Sequence, residues 1–172
     1  TLALILPACS VVNTGSDSND RALKSAGSTQ APIKESRAVR SSLKLAISQW
    51  QAKNFGAADE SFLKMIEQGA RSPASFNHYA IFLREQWRIE EAETMYRRAL
   101  SLSPKSAMTH WNIGILYEMY VGDFDKALSH YRNYQQVATE PDKRINGWIA
   151  DLTRRVEQNR HPIEEGDDEV ID

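Results

Sequence analysis

The sequence predicts an all-α protein: a stack of about three helix pairs with a capping helix at its C-terminal end. Two stretches, 73–106 and 107–141, can be laid over each other at a spacing of about 34 residues. Within both stretches, apolar residues recur at the three- and four-residue steps of a helix. A further apolar helical pattern follows at 142–158. Together these observations indicate a helical repeat protein whose units stack on one another.

The stretch 73–106 shows the pattern most clearly. Ser72 is placed to cap a helix that begins at Pro73, because a serine hydroxyl accepts a bond from the first free N–H groups and proline tolerates the first helical position. A second helix should run from about Ile89 to Leu102. Small Ala80 and Ala92 let the two backbones approach closely. The predicted inner faces comprise Phe76, Tyr79, Ala80 and Leu83 on the first helix, and Ala92, Tyr96, Ala99 and Leu100 on the second.

The stretch 107–141 repeats this arrangement with two differences. One extra residue, in the region of Tyr120 to Asp123, predicts a slightly wider turn, and Tyr134 predicts a bulkier contact where the stretch 73–106 has the small Ala99. The matching core positions are His110, Ile113, Gly114, Tyr117, Ala127 and Tyr131.

A weaker copy and a final helix flank these two stretches. The copy at about 39–72 is degenerate, as expected of a terminal repeat with one neighbour, and matches at Leu45, Ala46, Ala58, Phe62 and Met65. The final helix, 142–158, should cover the open end of the third pair with an apolar stripe formed by Ile145, Trp148, Ile149, Leu152 and Val156.

The spacing and residue types resemble the tetratricopeptide-repeat (TPR) family. With Pro73 counted as position one, the residues at the signature positions are Phe76, Tyr79, Ala80, Leu83, Ala92, Tyr96, Ala99 and Pro104. The resemblance implies a right-handed superhelical TPR domain over 36–158, with a concave groove lined by the first helix of each pair. In the family such grooves take an extended peptide or a partner helix, so the resemblance implies a protein-binding scaffold.

The positions that face the groove in the family are mainly aliphatic and aromatic here, which predicts an apolar peptide or helix as the partner. They are Leu43, Ile47, Trp50, Asn77, Ile81, Arg84, Met108, Trp111, Ile115, Glu118 and Met119. The alternative is that neighbouring helices or the N-terminal segment cover Trp50, Trp111 and Met119. Trp87 stands where the repeats normally turn on a glycine, and packing against the next pair is favoured there over an exposed contact. Trp148 is expected to be core.

The N-terminus resembles the end of a bacterial lipoprotein signal. Leu6-Pro7-Ala8-Cys9 is similar to a lipobox, which implies lipidation of Cys9 after a signal remnant at 1–9. A flexible linker follows at 10–35, and Ser10 after the cysteine implies outer-membrane sorting with the domain in the periplasm. A frayed N-terminus with an incidental thiol is the alternative.

Composition and motifs exclude several functions. The net charge is −2, and 159–172 is predicted to be a disordered acidic tail. The remainder of the chain lacks the basic footprint of a nucleic-acid-binding protein. No spacing indicates a metal site, a cofactor loop or a catalytic group, and the histidines fall on different helices.

Two functions stay open on these observations. The first is an outer-membrane TPR lipoprotein, non-catalytic, that binds a subunit of an envelope assembly: pilus, secretion, energy-transducing or peptidoglycan machinery. The second is a soluble TPR adaptor that self-associates or regulates a cytosolic partner. Sequence alone does not name the partner, because TPR folds serve unrelated systems.

Overall fold

The computed structural model describes residues 34–140 and 143–160, which form seven α-helices and no strand. A π-helical turn, Leu116–Val121, continues the fifth helix. The helices are α1 (Arg37–Gln51), α2 (Phe55–Glu67), α3 (Pro73–Glu85), α4 (Ile89–Leu102), α5 (Ala107–Ile115), α6 (Phe124–Val137) and α7 (Arg144–Arg160). The predicted all-α class is confirmed. Cys9 and the part of the predicted linker before residue 34 lie outside the described residues, as does the tail from residue 161.

The helices pack in three sequential pairs, α1 with α2, α3 with α4, and α5 with α6, and α7 packs against α6. Small residues stand between the helices of each pair: Ala46 and Ala58 in the first, Ala80 and Ala92 in the second, all fully buried. Large side chains such as Phe62, Tyr96 and Tyr131 are buried around these close approaches. Burial of each such side chain contributes on the order of 2 kcal/mol, so the core is continuous along the stack.

Short polar residues cap the first helix of every pair. The backbone N–H of Val39 donates to Ser36 Oγ at 3.1 Å, and that of Ala74 donates to Ser72 Oγ at 3.2 Å. Ser106 caps α5 in the same way. The predicted Ser72 cap with Pro73 at the first helical position is thus confirmed.

The extra residue of the third repeat lies inside a helix rather than in the turn. The predicted wider turn is therefore wrong: α5 absorbs the insertion as the π-helical turn Leu116–Val121, which Gly122 ends in the left-handed conformation at φ 77°. A one-residue insertion into an α-helix is commonly absorbed in this way, because the hydrogen bonds shift to the i→i+5 pattern over one turn.

Two sequence-based expectations at the start of the domain need correction. Leu45 is 51% exposed. At the equivalent position of the second repeat, Tyr79 packs against Phe62 of the preceding pair. Among the described residues no pair precedes α1, so Leu45 has no such neighbour to cover it. Glu35, assigned to the linker, accepts hydrogen bonds from the backbone N–H of Ser72 and from the hydroxyl of Ser75. It is therefore part of the fold.

The final helix also differs from its prediction. It spans Arg144–Arg160, not 142–158, and Trp148 is 50% exposed rather than core. Ile145, Leu152 and Val156 are buried against α6, since they fall on the face turned toward that helix. No helix in the described part of the chain combines the length and the apolar character needed to cross a membrane.

Candidate partner-binding groove

The first helices of the three pairs are connected to each other by polar side chains. Trp50 of α1 donates from Nε1 to Glu85 Oε2 of α3 at 3.1 Å. Asn112 of α5 donates from Nδ2 to Asn77 Oδ1 of α3 at 3.2 Å. Helices α1, α3 and α5, together with the π-helical turn that extends α5, therefore form one continuous wall, which carries all eleven predicted groove residues.

The structure assigns the predicted groove residues to three degrees of exposure. Met108 and Met119 are exposed, at 44% and 58%. Asn77 and Arg84 are buried. The half-buried residues are Leu43, Ile47, Trp50, Ile81, Trp111, Ile115 and Glu118. The wall is thus an apolar surface with methionines at its third repeat, and its role as a binding site stays a prediction.

Trp111 is packed by its neighbours, as the alternative hypothesis for this residue held. Its ring lies 5.4 Å from that of Tyr131, 5.1 Å from that of Tyr134 and 5.2 Å from that of Trp148, with the two indoles stacked at 16°. Each aromatic pair of this kind stabilises the folded protein by about 1 kcal/mol, in addition to the contribution from the apolar area it buries. The capping helix therefore contributes an aromatic ring, Trp148, to the third-repeat end of the wall, which sequence reasoning had assigned to the core.

Glu118 is also engaged within the protein. Tyr131 donates from its hydroxyl to Glu118 Oε2 at 2.8 Å. Burial raises the pKa of Tyr131, and the hydrogen bond to the Glu118 carboxylate raises it further, so the phenol remains a donor at all physiological pH values. Glu118 thus orients the buried tyrosine on which Trp111 packs.

Two buried donors in the middle of the wall have no acceptor in the described chain. They are Nδ2 of Asn77 and Nε of Arg84. The Arg84 guanidinium has one hydrogen bond, from Nη1 to the hydroxyl of Tyr96 at 3.4 Å, and lies 5.7 Å from the ring centre of Tyr120. Buried donors without partners are rare and raise the free energy of the folded chain by about 1–3 kcal/mol each.

An apolar rim, exposed except for the half-buried Tyr120, forms the edge of the wall at the turn end of the second and third repeats. We define this rim as Trp87, Met119, Tyr120 and Val121. Trp87 is 73% exposed, and its ring contacts that of Tyr120 at 5.2 Å between centres. Met119 and Val121 are exposed beside Tyr120 because the π-helical turn changes the register of their side chains.

Comparisons with solved structures identify this architecture. The Sgt2 TPR domain from Aspergillus fumigatus matches with a TM-score of 0.67 and 15% identity over 85% of this chain and 94% of that one. Pseudomonas aeruginosa PilF matches with a TM-score of 0.62 and 21% identity over 70% of this chain and 54% of that one. The chain has the tetratricopeptide-repeat fold.

A third TPR structure was solved with a ligand. It is the first TPR domain of Spaghetti (RPAP3), bound to the HSP90 peptide SRMEEVD, with a TM-score of 0.63 and 10% identity over 72% of this chain and 99% of that one. No protein-family model and no curated protein matches the chain. At these identities the likeness establishes the TPR fold only.

The turn inside each TPR repeat has a left-handed residue at the same place. Lys53 and Trp87 have φ 61°, and Gly122 has φ 77°. A residue with a Cβ atom has a higher energy there than glycine, by about 1 kcal/mol. The expectation that packing would explain Trp87 is wrong in the main, because its contact with Tyr120 leaves most of the indole in solvent. The large side chain at this position is instead consistent with a contact surface.

We therefore expect Trp87→Gly to leave stability nearly unchanged. Relief of the left-handed strain stabilises the variant, while loss of the Tyr120 contact and the added freedom of the unfolded chain oppose it. The free energy of unfolding, measured in urea, should stay within about 1 kcal/mol of that of the parent chain. A loss of 2 kcal/mol or more would show that Trp87 is a structural residue.

The structure also pairs two histidines that sequence reasoning treated as separate. His110 and His130 approach to 3.0 Å between their Nδ1 atoms. Because His110 Nε2 faces the carbonyl of Pro104 at 3.0 Å and must donate to it, its Nδ1 accepts, and His130 donates. Only the packing of α5 against α6 brings these residues together. No group of three or more potential metal ligands occurs within 34–140 and 143–160.

Proposed function

We propose that the chain is a non-catalytic protein-binding scaffold whose wall of first helices binds an apolar segment of a partner. The observation that carries this proposal is the half-buried aliphatic and aromatic lining of the wall, which ends in the exposed side chains of Met108 and Met119. Methionine is flexible and polarizable, so it adapts to an apolar ligand without a fixed shape. The peptide-bound TPR structure shows that this fold can hold a protein segment.

The lining determines which partner chemistry fits. Leu43, Ile47, Ile81 and Ile115 offer aliphatic contact along the first helices of the three pairs, and an extended peptide or an amphipathic helix can present apolar side chains to such a surface. Trp111 would act as a fixed platform, since Tyr131 and Trp148 hold its ring in place. A rigid aromatic of this kind loses little conformational entropy when a partner binds.

We further propose that the scaffold is anchored to the outer membrane through lipidated Cys9, faces the periplasm, and holds a subunit of an envelope assembly there. The lipobox-like Leu6-Pro7-Ala8-Cys9 and the polar segment after it support this proposal. In cells that process lipoproteins, mass spectrometry of the N-terminal peptide should find an acylated Cys9. Cys9→Ser should leave the protein in the soluble fraction, whereas an unmodified thiol in the parent protein would rule out the anchor.

The binding proposal is tested by photo-crosslinking from the two exposed methionines. A photoreactive amino acid replaces Met108 or Met119 in the full chain, because both positions are exposed on the wall and neither supports the core. We expect one discrete adduct, the same from both positions, when the crosslink is formed in cells. Thr94, exposed on the second helix α4, is the matched control and should give no such adduct.

Other outcomes separate the alternatives. An adduct with a second copy of the chain, together with concentration-dependent dimers in sedimentation, would favour the self-associating soluble adaptor. Equal adducts from Thr94 and from the methionine positions would mean that the wall has no special affinity for a partner, and the proposal would fail.

A further inference from the structure

Arg84 is a buried charge that lacks a carboxylate partner. Its side chain is 9% exposed, it forms no salt bridge within the described chain, and its Nε has no acceptor. Arginine stays protonated in proteins, so a buried guanidinium is normally paired with an acid. The two acids on the same wall are engaged elsewhere, Glu85 with Trp50 and Glu118 with Tyr131. The site is therefore complementary to a carboxylate that the described residues do not supply.

The rim extends this site with apolar surface. The Arg84 guanidinium lies over the ring of Tyr120, and Trp87 contacts the same ring. Met119 and Val121 are exposed beside it. A ligand that places an acid on Arg84 would therefore bring its neighbouring residues onto an exposed apolar surface, and the best fit is a segment in which acidic and aliphatic residues alternate closely.

A segment of this composition follows α7 directly. Residues 161–172 hold six acids, Glu164, Glu165, Asp167, Asp168, Glu169 and Asp172, together with Ile163, Val170 and Ile171. They contain no lysine or arginine. The rest of the chain therefore keeps all 21 basic residues and 17 of the 23 acidic ones, which gives it a net charge of +4. Opposite charge attracts the segment to the body of the protein, and proximity raises its effective concentration there.

The end of α7 lies next to the rim. Arg160, its last residue, forms a salt bridge with Asp125 at the start of α6, and the two flank one small surface cavity together with Gly122. Gly122 follows Tyr120 by two residues, so their Cα atoms are at most about 7 Å apart. The twelve residues beyond Arg160 span up to about 40 Å when extended, which is enough to bring the acids of 161–172 to the Arg84 guanidinium beside Tyr120.

We propose that segment 161–172 docks on the rim of its own chain, with a carboxylate on Arg84 and aliphatic side chains on Trp87 and Tyr120. Docking itself involves no partner, and it can fail or succeed independently of the proposed binding function.

The test is paramagnetic broadening in the full chain. Cys9→Ser removes the only cysteine, and Asp168→Cys carries a nitroxide. The signals observed are the indole N–H resonances of Trp50, Trp87, Trp111 and Trp148. A reference chain has the five remaining tail acids replaced by Gln or Asn, so that the label is tethered equally but the charge is lost. We expect Trp87 to broaden at least threefold more with the acidic tail than with the neutral one.

Two controls identify the docking contact. Arg84→Met should reduce the broadening of Trp87 to the level of the neutral tail, provided that circular dichroism shows the variant folded. If it is unfolded, the neutral tail alone decides. The indole N–H signal of Trp148 on α7 should broaden equally with the acidic and the neutral tail.

Three results would overturn the proposal. The first is equal broadening of Trp87 with the acidic and the neutral tail. The second is a larger charge-dependent broadening at Trp148 than at Trp87. The third is broadening that persists when chains carrying the nitroxide are mixed with isotopically enriched chains that carry no nitroxide. The last result would mean that the tail binds a second copy.

Discussion

Gly114→Ala is expected to destabilise the protein by about 2–3 kcal/mol, among the largest effects of any single-methyl change in the chain. A Cβ atom at this position would lie 2.6 Å from Cδ1 and 2.9 Å from Cζ of the Tyr131 ring. Tyr131 is 1% exposed, donates to Glu118 and packs against Trp111, so it cannot move aside without disturbing the third repeat. The free energy of unfolding from urea denaturation measures the loss.

Gly147→Ala provides the matched control. Gly147 lies within α7, and nothing stands within 4 Å of a Cβ atom placed there. Alanine is favoured over glycine inside a helix, so this variant should be stabilised by up to about 1 kcal/mol. If both substitutions changed the free energy of unfolding in the same direction, helix propensity rather than the Tyr131 contact would govern the effect at position 114.

The same contact links stability to the proposed groove. Displacement of Tyr131 would tilt the ring of Trp111 and break the hydrogen bond to Glu118, both of which lie on the wall. We expect Gly114→Ala to reduce the crosslink from Met108 even at temperatures where the variant is folded. Gly147→Ala should leave that crosslink unchanged, because α7 keeps its contacts with α6.

The second large effect is a loss of stability in mild acid that depends on His130. Burial, and to a smaller extent the neighbouring His110, lower the pKa of His130 from its ordinary value of 6.5 to about 4, while Glu93 opposes the shift. Tyr117 stacks on the His130 ring, and the Lys126 ammonium lies 5.0 Å from the centre of the Tyr117 ring. The neutral imidazole is therefore the form that the folded protein accommodates.

The direction follows from proton binding in the two states. Above pH 6.5, His130 is neutral whether the chain is folded or unfolded. As the pH falls from 6.5 toward 4, the unfolded chain binds a proton and the folded chain does not, so the free energy of unfolding decreases. Because the ring is partly exposed and solvent screens its charge, the full loss is on the order of 2 kcal/mol, and below pH 4 this residue contributes no further change.

Urea denaturation at a series of pH values measures this effect. In His130→Gln the side chain does not titrate and can still donate to His110, so the stability loss between pH 6.5 and 4 should shrink by most of its amplitude. His78→Gln is the control, since His78 bonds to the carbonyl of Ala74 in its own helix. An unchanged pH profile in His130→Gln would assign the acid sensitivity to other groups.

The repeat architecture could be predicted because it is encoded locally. The caps at Ser72 and Pro73, the helix from Ile89 to Leu102 and the small pair Ala80 and Ala92 all follow from interactions within one repeat. Helical periodicity shows which residues share a face, whichever repeat lies beside them. The wall of first helices could be listed for the same reason, although its use as a binding site stays a prediction.

Contacts between repeats could not be predicted. Trp87 was expected to pack, yet its ring contact with Tyr120 of the next repeat leaves it 73% exposed. Trp148 was expected to be core, yet it stacks on Trp111 and leaves half its surface exposed. In each case the outcome depends on a neighbour that is more than 30 residues away in sequence, and periodicity within one helix carries no information about it.

Spacing and residue type within about 34 residues were sufficient to predict the all-α class, the pairing of helices, their caps and the set of side chains on the wall. Three features became visible only in the packed protein: the π-helical turn formed by the extra residue, the burial of Arg84 without an acid, and the contact of His110 with His130. Strain, burial and hydrogen-bond partners are properties of the packed surroundings. Those surroundings are assembled from residues that are distant in the chain.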